Sequence, residues 1–287
     1  MDSKLKNIVF RPMVEADISG AMQLVLAENW NQTEEDWRML LDLNTELCLV
    51  ATYKDTIIGT VTAMNYKDQV AWIGMMLVSK DFRGLGISKN LLHTIIEKLE
   101  GCTSIKLDAT AAGIPVYRKL GFLEELKIDR MVVPAFNGKL DNTNKDTVKP
   151  LSQADKEELS KLDLKIFGSN RMELINALKR RNKAWCIVRD ERIVGYVLGR
   201  PGLNFFQIGP LMAETTDDAI NLIEIVLKEQ VGKSVVIDVL NDQIPVKQRL
   251  TALGFTCQRS FVRMYLKDNS FAGSVSKQFL IAGPELG

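Results

Sequence analysis

The segment GMMLVSKDFRGLGISKNLLHTII (74–96) holds the one spacing in the chain that implies chemistry. An apolar run that reads as a buried strand ends at about Val78, and a periodic run that reads as a helix begins near Ser88. Between them stand Arg83, Gly84, Leu85, Gly86, Ile87 and Ser88. Two glycines let the backbone turn tightly and come close to a ligand. The first turn of a helix leaves N–H groups without partners, and together with the helix dipole these form an anion site. Each such contact is worth about 0.3–1 kcal/mol when exposed. Several of them, with the Arg83 charge, could hold a diphosphate. The spacing is neither GxGxxG, since position 89 is Lys, nor a P-loop. The same turn would also serve as a plain strand-to-helix connection with no ligand.

Other chemistries are short of residues. The chain has one histidine, so no His-rich metal site, HExxH or paired-His spacing exists, and no metal is expected. A Ser-His-Asp or Cys-His enzyme would have to use His93, which lies in the apolar helical pattern LLHTIIEKLE and reads as a packing or surface residue. Cys48, Cys102, Cys186 and Cys257 are far apart, with no CxxC, and read as reduced core thiols.

The elements that must position the turn are those of a two-domain globular protein. The 287 residues are close to twice a typical domain of about 150. The chain is 46% hydrophobic and 25% charged, with 37 Lys plus Arg against 36 Asp plus Glu. A net charge of +1 offers no global field for nucleic acid or anionic membrane, and neither is expected as a partner. No apolar run approaches the roughly 20 residues that span a bilayer, and MDSKLKNIVF lacks a signal-peptide core. A cytoplasmic protein is the expectation.

The sequence also repeats itself. Pro12, Ala16, Asp17 and Leu24 recur as Pro150, Ala154, Asp155 and Leu162 at a constant offset of 138, and Cys48 recurs as Cys186. Ile114-Pro115-Val116 recurs as Ile244-Pro245-Val246 and Asp108 as Asp238, at offset 130. Gly121-Phe122 and Arg130-Met131 match Gly254-Phe255 and Arg263-Met264 at offset 133. Matches in one order with drifting offsets are what two copies of one fold with loop insertions leave. Each copy reads as helices interleaved with strands, an α/β (α+β) architecture of two tandem domains, each a central mixed sheet flanked by helices. In the first copy Thr33 and Asp36 mark a capping box, and Lys54-Asp55-Thr56 breaks a hairpin. The domains are placed at 1–136 and 148–268, with the polar stretch 136–147 as linker and an irregular tail at 269–287. The apolar end of that tail, FLIAGPELG, is expected to fold back between the halves.

LVSKDFRGLGISKNLL followed by PVYRKLGF resembles the GNAT acetyltransferase superfamily over roughly residues 8–135. Arg83 and Gly86 match the family's phosphate loop, Arg/Gln-x-x-Gly-x-Gly/Ala, and Ser88 stands where Gly or Ala is usual. Tyr117 to Phe122 matches its Tyr-x-x-x-Gly-Phe stretch, while Thr110 stands where an Asn often precedes the helix. The whole chain is similar to the tandem subgroup whose second domain is degenerate. The resemblance implies acetyl-CoA as co-substrate, its pyrophosphate on the amides of Gly84 to Ser88. Its pantetheine would pair with Leu77 and Val78, and Tyr117 would be the general acid near the sulfur. The acceptor would be an amine of a small molecule or peptide.

Such an amine must be neutral to attack. With a pKa of about 10.4 it is uncharged in roughly one molecule in 2,500 at pH 7, a cost of about 4.6 kcal/mol. Asp108, Glu28, Glu34 and Asp36 are candidates to take the proton, and a surface or capping role is open to each. Trp30, Trp37, Trp185, Phe205 and Phe206 are candidates for an acceptor pocket or for core. The second copy lacks five residues between strand and mid-helix and reads GPLMAETTDDAINLI. Glu214, Asp217 and Asp218 replace the glycine turn, and Lys247 stands in the place of Tyr117. The expectation is therefore one functional site, in the first copy. Two rival readings are a non-catalytic acetyl-CoA-binding regulator and a transferase of another acyl group.

Overall fold

A computed structural model describes residues 7–140 and 148–287; the expected linker lies from residue 141 onward outside them. In the first half β1 (Ile8–Pro12) leads to α1 (Ile18–Ala27), α2 (Glu34–Leu43), β2 (Cys48–Tyr53), β3 (Thr56–Tyr66) and β4 (Val70–Val78). There follow α3 (Ile87–Lys98), β5 (Ser104–Ala109), α4 (Ile114–Lys119) and β6 (Leu123–Val133). The second half repeats the order as β7 (Val148–Pro150), α5 (Lys156–Phe167), α6 (Met172–Lys179), β8 (Trp185–Arg189), β9 (Arg192–Arg200) and β10 (Phe206–Ala213). It continues with α7 (Thr216–Lys228), β11 (Val235–Leu240), α8 (Ile244–Ala252) and β12 (Thr256–Lys267). One strand has no counterpart, β13 (Gln278–Leu280).

Local chemistry explains the boundaries. Thr33 Oγ1 accepts from the Asp36 N–H, and Asp36 accepts from the Thr33 N–H, so α2 starts on a reciprocal capping box. Lys54 and Asp55 both have positive φ (48° and 62°), the geometry of a two-residue hairpin turn between β2 and β3.

Period-two alternation then sorts the strands' side chains to two faces. In β2, Leu49 and Ala51 face α3, while Cys48 and Val50 face the opposite side. There α1, α2, α5 and α6 pack into one core shared by the two halves, which also takes in Ala282 and Leu286 of the tail. In β4, Val70 and Trp72 face this shared core, and so do Met75 and Leu77. The count slips by one across Gly74–Met75, where the register with β3 shifts and Met75 adopts φ 49°. This is a β-bulge, which bends a strand and re-aims its edge.

The two expected sheets are joined into one of 13 strands, in the order β1-β2-β3-β4-β5-β12-β6-β11-β13-β10-β9-β8-β7. The halves exchange their closing strands. β6 runs antiparallel to β11 of the second half, β12 runs antiparallel to β5 of the first, and the two pair with each other in the middle. The repeated Asp and Arg positions meet across this exchange. Arg130 donates to Asp238 at 2.7 Å through both Nε and Nη2, and Arg263 donates to Asp108 at 3.0 and 3.3 Å.

Cys48, Cys102 and Cys186 are buried, but Cys257 is exposed. The reading of four core thiols fails there because the first three residues of β12 are all exposed. Among the described residues no helix is long and apolar enough to cross a membrane.

Candidate active site

The site begins where two parallel strands part. β4 and β5 pair only over Val70–Ser104, Ala71–Ile105 and Trp72–Lys106. Beyond them the bulge turns β4 away while β5 stays paired to β12 on its other edge. Thr60 Oγ1 donates to the Met75 carbonyl at 2.7 Å and pins the bulge to β3. The backbone of β4 from Ile73 to Val78 therefore has no strand partner on the β5 side.

The glycine turn lies at the end of the parting strand. Gly84 and Gly86 have φ of 79° and 77°, a left-handed region that L side chains rarely adopt. A Cβ built on either would meet nothing within 4 Å, so the space in front of the turn is open. Gly86 is the N-cap of α3; no side chain caps the helix and its first turn holds no acid. Arg83 is at the rim. Its Nη2 donates to Glu28 at 2.6 Å and its Nε to the Val78 carbonyl at 3.3 Å, so its charge is already partnered. Ile87 is buried against the sheet, and Leu85 packs on the same core. Leu77 turns its side chain into the shared core. A groove of about 270 Å³ runs past Val78, Gly84, Gly86 and Ser88 to Tyr117.

Tyr117 projects from α4 into the gap between the strands. Its ring packs against Phe122 at 5.9 Å, and a Cβ on Gly113 would stand 2.8 Å from it, so glycine there leaves the ring its place. Burial pushes its pKa up to about 12. Met76, Thr110 and Tyr117 line both this groove and a second cavity of about 90 Å³ on the far side of the gap. That cavity is walled by Trp30, Asp108, Arg130, Arg259, Phe261 and Glu285.

Of the carboxylates singled out in the sequence, only Asp108 lines this cavity. It is fully buried and held by Arg263, and burial raises its pKa. Glu28 is bound to Arg83 and Glu34 to Arg38, while Asp36 is buried in a knot with Arg181 and Arg200. Of the aromatics, Trp30 alone lines the cavity. Trp37 is core, and Phe205 and Phe206 line a separate surface groove.

Glu285 and Arg259 could not be found by local spacing, because they come from the tail and from the second half. The tail is tied down from both sides. Tyr66 donates to the Leu286 carbonyl at 2.7 Å, Trp72 Nε1 to the Pro284 carbonyl at 3.2 Å, and Arg171 to the Gly287 carbonyl at 3.0 Å. Glu285 accepts from Arg200 at 2.9 Å and from Gln32 at 3.0 Å; burial raises its pKa.

The second half diverges at the same place but its gap is filled. β10 and β11 pair in parallel up to Ile208–Ile237, and β13 then lies between them, with Leu280 opposite both Leu211 and Val239. α7 begins at Thr216, with only two residues between it and the end of β10. Its N-cap Thr215 accepts from the Asp218 N–H, and Asp217 and Asp218 occupy the first turn. Lys247 donates to Asp129 at 2.5 Å.

Two α/β units that part a parallel strand pair at a bulge, one open and one plugged, define a duplicated fold of the acetyltransferase class. The chain belongs to the GNAT acetyltransferase superfamily, as a tandem pair whose second domain has lost the glycine turn. The sequence profile of the acetyltransferase (GNAT) family matches residues 18–122, and that of an acetyltransferase (GNAT) domain matches residues 159–280. The chain is 23% identical to the uncharacterized N-acetyltransferase YitH of Bacillus subtilis, over 84% of this chain and 85% of that protein. It is 25% identical to a holothin acyltransferase of a Pseudoalteromonas species, over 91% of this chain and 88% of the other. Its fold matches an acetyltransferase-like protein from Pyrococcus horikoshii with a TM-score of 0.83, at 21% identity, over 98% and 96% of the two chains.

Proposed function

We propose that the chain is an N-acetyltransferase with one active site, its donor groove in the first half and its acceptor cavity completed by β12 and the tail, which passes the acetyl group of acetyl-CoA to an amine by direct attack. The observation that carries this reading is the continuity of the open glycine turn, the parted strands and the small cavity beyond them through Met76, Thr110 and Tyr117. The residues fit the donor. The bare turn and the uncapped, acid-free start of α3 suit a diphosphate, whereas the corresponding start of α7 is filled by Thr215, Asp217 and Asp218. Backbone amides of Gly84, Leu85, Gly86, Ile87 and Ser88 take the diphosphate. The unpaired edge of β4 at Leu77 and Val78 takes the pantetheine arm as a strand would. Arg83, tied to Glu28, frames the rim.

The bound thioester supplies an acyl group already activated for attack, so the chain needs no nucleophile of its own. What it must do is receive the amine, remove its extra proton and protonate the departing thiolate. Asp108 and Glu285 are the two carboxylates on the cavity wall, and their raised pKa values bring them nearer the range of a base at neutral pH. Tyr117 stands between groove and cavity as the proton donor.

Calorimetry should find one acetyl-CoA per chain, and the Gly86→Glu variant should bind none, since a carboxylate at the α3 N-terminus repels the diphosphate and Gly86 has positive φ. Two equivalents per chain would overturn the single-site reading. The holothin acyltransferase relative supports a second reading, in which another acyl group is carried. Mass spectrometry of the thioester that copurifies separates the two. Product formation across a set of amines separates either from a regulator that only binds.

A further inference from the structure

Four charged side chains wall the small cavity, and three are compensated. Asp108 is held by Arg263, Glu285 by Arg200 and Gln32, and Arg130 by Asp238. Arg259 is the exception. It makes no ion pair among the described residues, and its Nε is buried with no hydrogen-bond partner. Asp238, the acid whose field reaches it, is already saturated. Arg130 donates to both of its oxygens, and Gln207 Nε2 donates to Oδ2 at 2.9 Å. Burial and the neighbouring Arg130 charge both disfavour the Arg259 cation. A guanidinium keeps its proton in this range, and with Arg259 half-buried its charge is met by solvent unless a ligand in the cavity supplies an anion.

We propose that Arg259 receives a carboxylate on the acceptor, which makes the acceptor class amino acids or similar small molecules bearing one amine and one carboxylate. The inference rests on the cavity being the acceptor site of the proposed transferase. A monoanion fits better than a phosphate. One uncompensated positive charge faces a cavity that also holds two carboxylates, Asp108 and Glu285, and about 90 Å³ admits only a small group. A planar fork of donors matches a carboxylate. Phe261, whose ring lies 5.5 Å from the Arg259 guanidinium and 5.1 Å from that of Arg130, gives both a common floor.

The test uses the full chain and an isosteric pair of probes, N-acetylglycine and N-acetylglycinamide, titrated calorimetrically with no donor present. The wild type should bind the acid about tenfold or more tightly than the amide, and added salt should weaken only the acid. Arg259→Met should remove the preference, and Arg259→Lys should keep part of it. Thermal unfolding of each variant checks that it is folded, and the salt dependence of the wild type stands if one is not. Equal binding of acid and amide, binding of neither, or a preference that survives Arg259→Met would overturn the assignment. Failure of the wild type to bind acetyl-CoA, measured separately, would instead overturn the donor reading.

Discussion

At the scale of the residue, the proposed proton transfer turns on Tyr117. A thiol of pKa about 8.5 is a good leaving group, so a phenol pushed up to about 12 is a weak acid that helps only through its position. Tyr117→Phe should lower kcat about tenfold to a hundredfold and leave acetyl-CoA affinity nearly unchanged. The sign of the pH effect follows from the direction of the shift. A raised pKa keeps the phenol neutral, and so able to donate, until the pH nears about 12. The ratio of wild-type to variant rates should then stay flat from about pH 7 to about pH 10. A ratio that decays toward one in that range would refute the acid role. How much of this was legible depended on reach along the chain. The glycine turn and α3 are sequence neighbours, so their joint geometry can be read from spacing. Arg259 and Glu285 come to share a cavity with Tyr117 only through strand exchange and a returning tail, and no local pattern announces either.

At the scale of the element, the site is a gap made by a bulge and kept in shape by the tail. A Cβ on Gly74 would stand 2.6 Å from both Cα and Cβ of Glu285, closer than real Cβ contacts come, so strand and tail touch with no room to spare. Gly74→Ala should destabilise the fold by about 1–3 kcal/mol in denaturant titrations. It should also raise the KM for the acceptor more than that for acetyl-CoA, because the methyl group pushes on the cavity wall and not on the groove. Equal effects on both would show that the tail does not shape the acceptor side. The hairpin break at Lys54-Asp55 and the capping box of α2 were readable because each is a short-range rule. The bulge at Met75 was not, since GMMLV looks like an uninterrupted strand until the register with β3 is known.

At the scale of the whole molecule, the duplication that the sequence shows as drifting offsets becomes a single sheet. Asp108 and Arg130 recur as Asp238 and Arg263, yet each pairs with the other copy's partner. Offsets reveal which positions correspond but not which of them meet. The exchange ties the halves together with buried ion pairs, where loss of one partner costs about 3–5 kcal/mol. We therefore expect one cooperative unfolding transition in calorimetry, and Asp238→Ala should lower its midpoint without splitting it. Two resolved transitions would mean that the halves are thermodynamically separate.

The tail described above makes the two sides of the cleft separable. Because Pro284 and Glu285 wall the cavity, the proposed acceptor side is completed by residues about 200 positions beyond the glycine turn. A proteolytic cut that released the tail would leave the bare glycine turn whole while removing one wall from the amine's side, so it should impair the proposed transfer before it impairs donor binding.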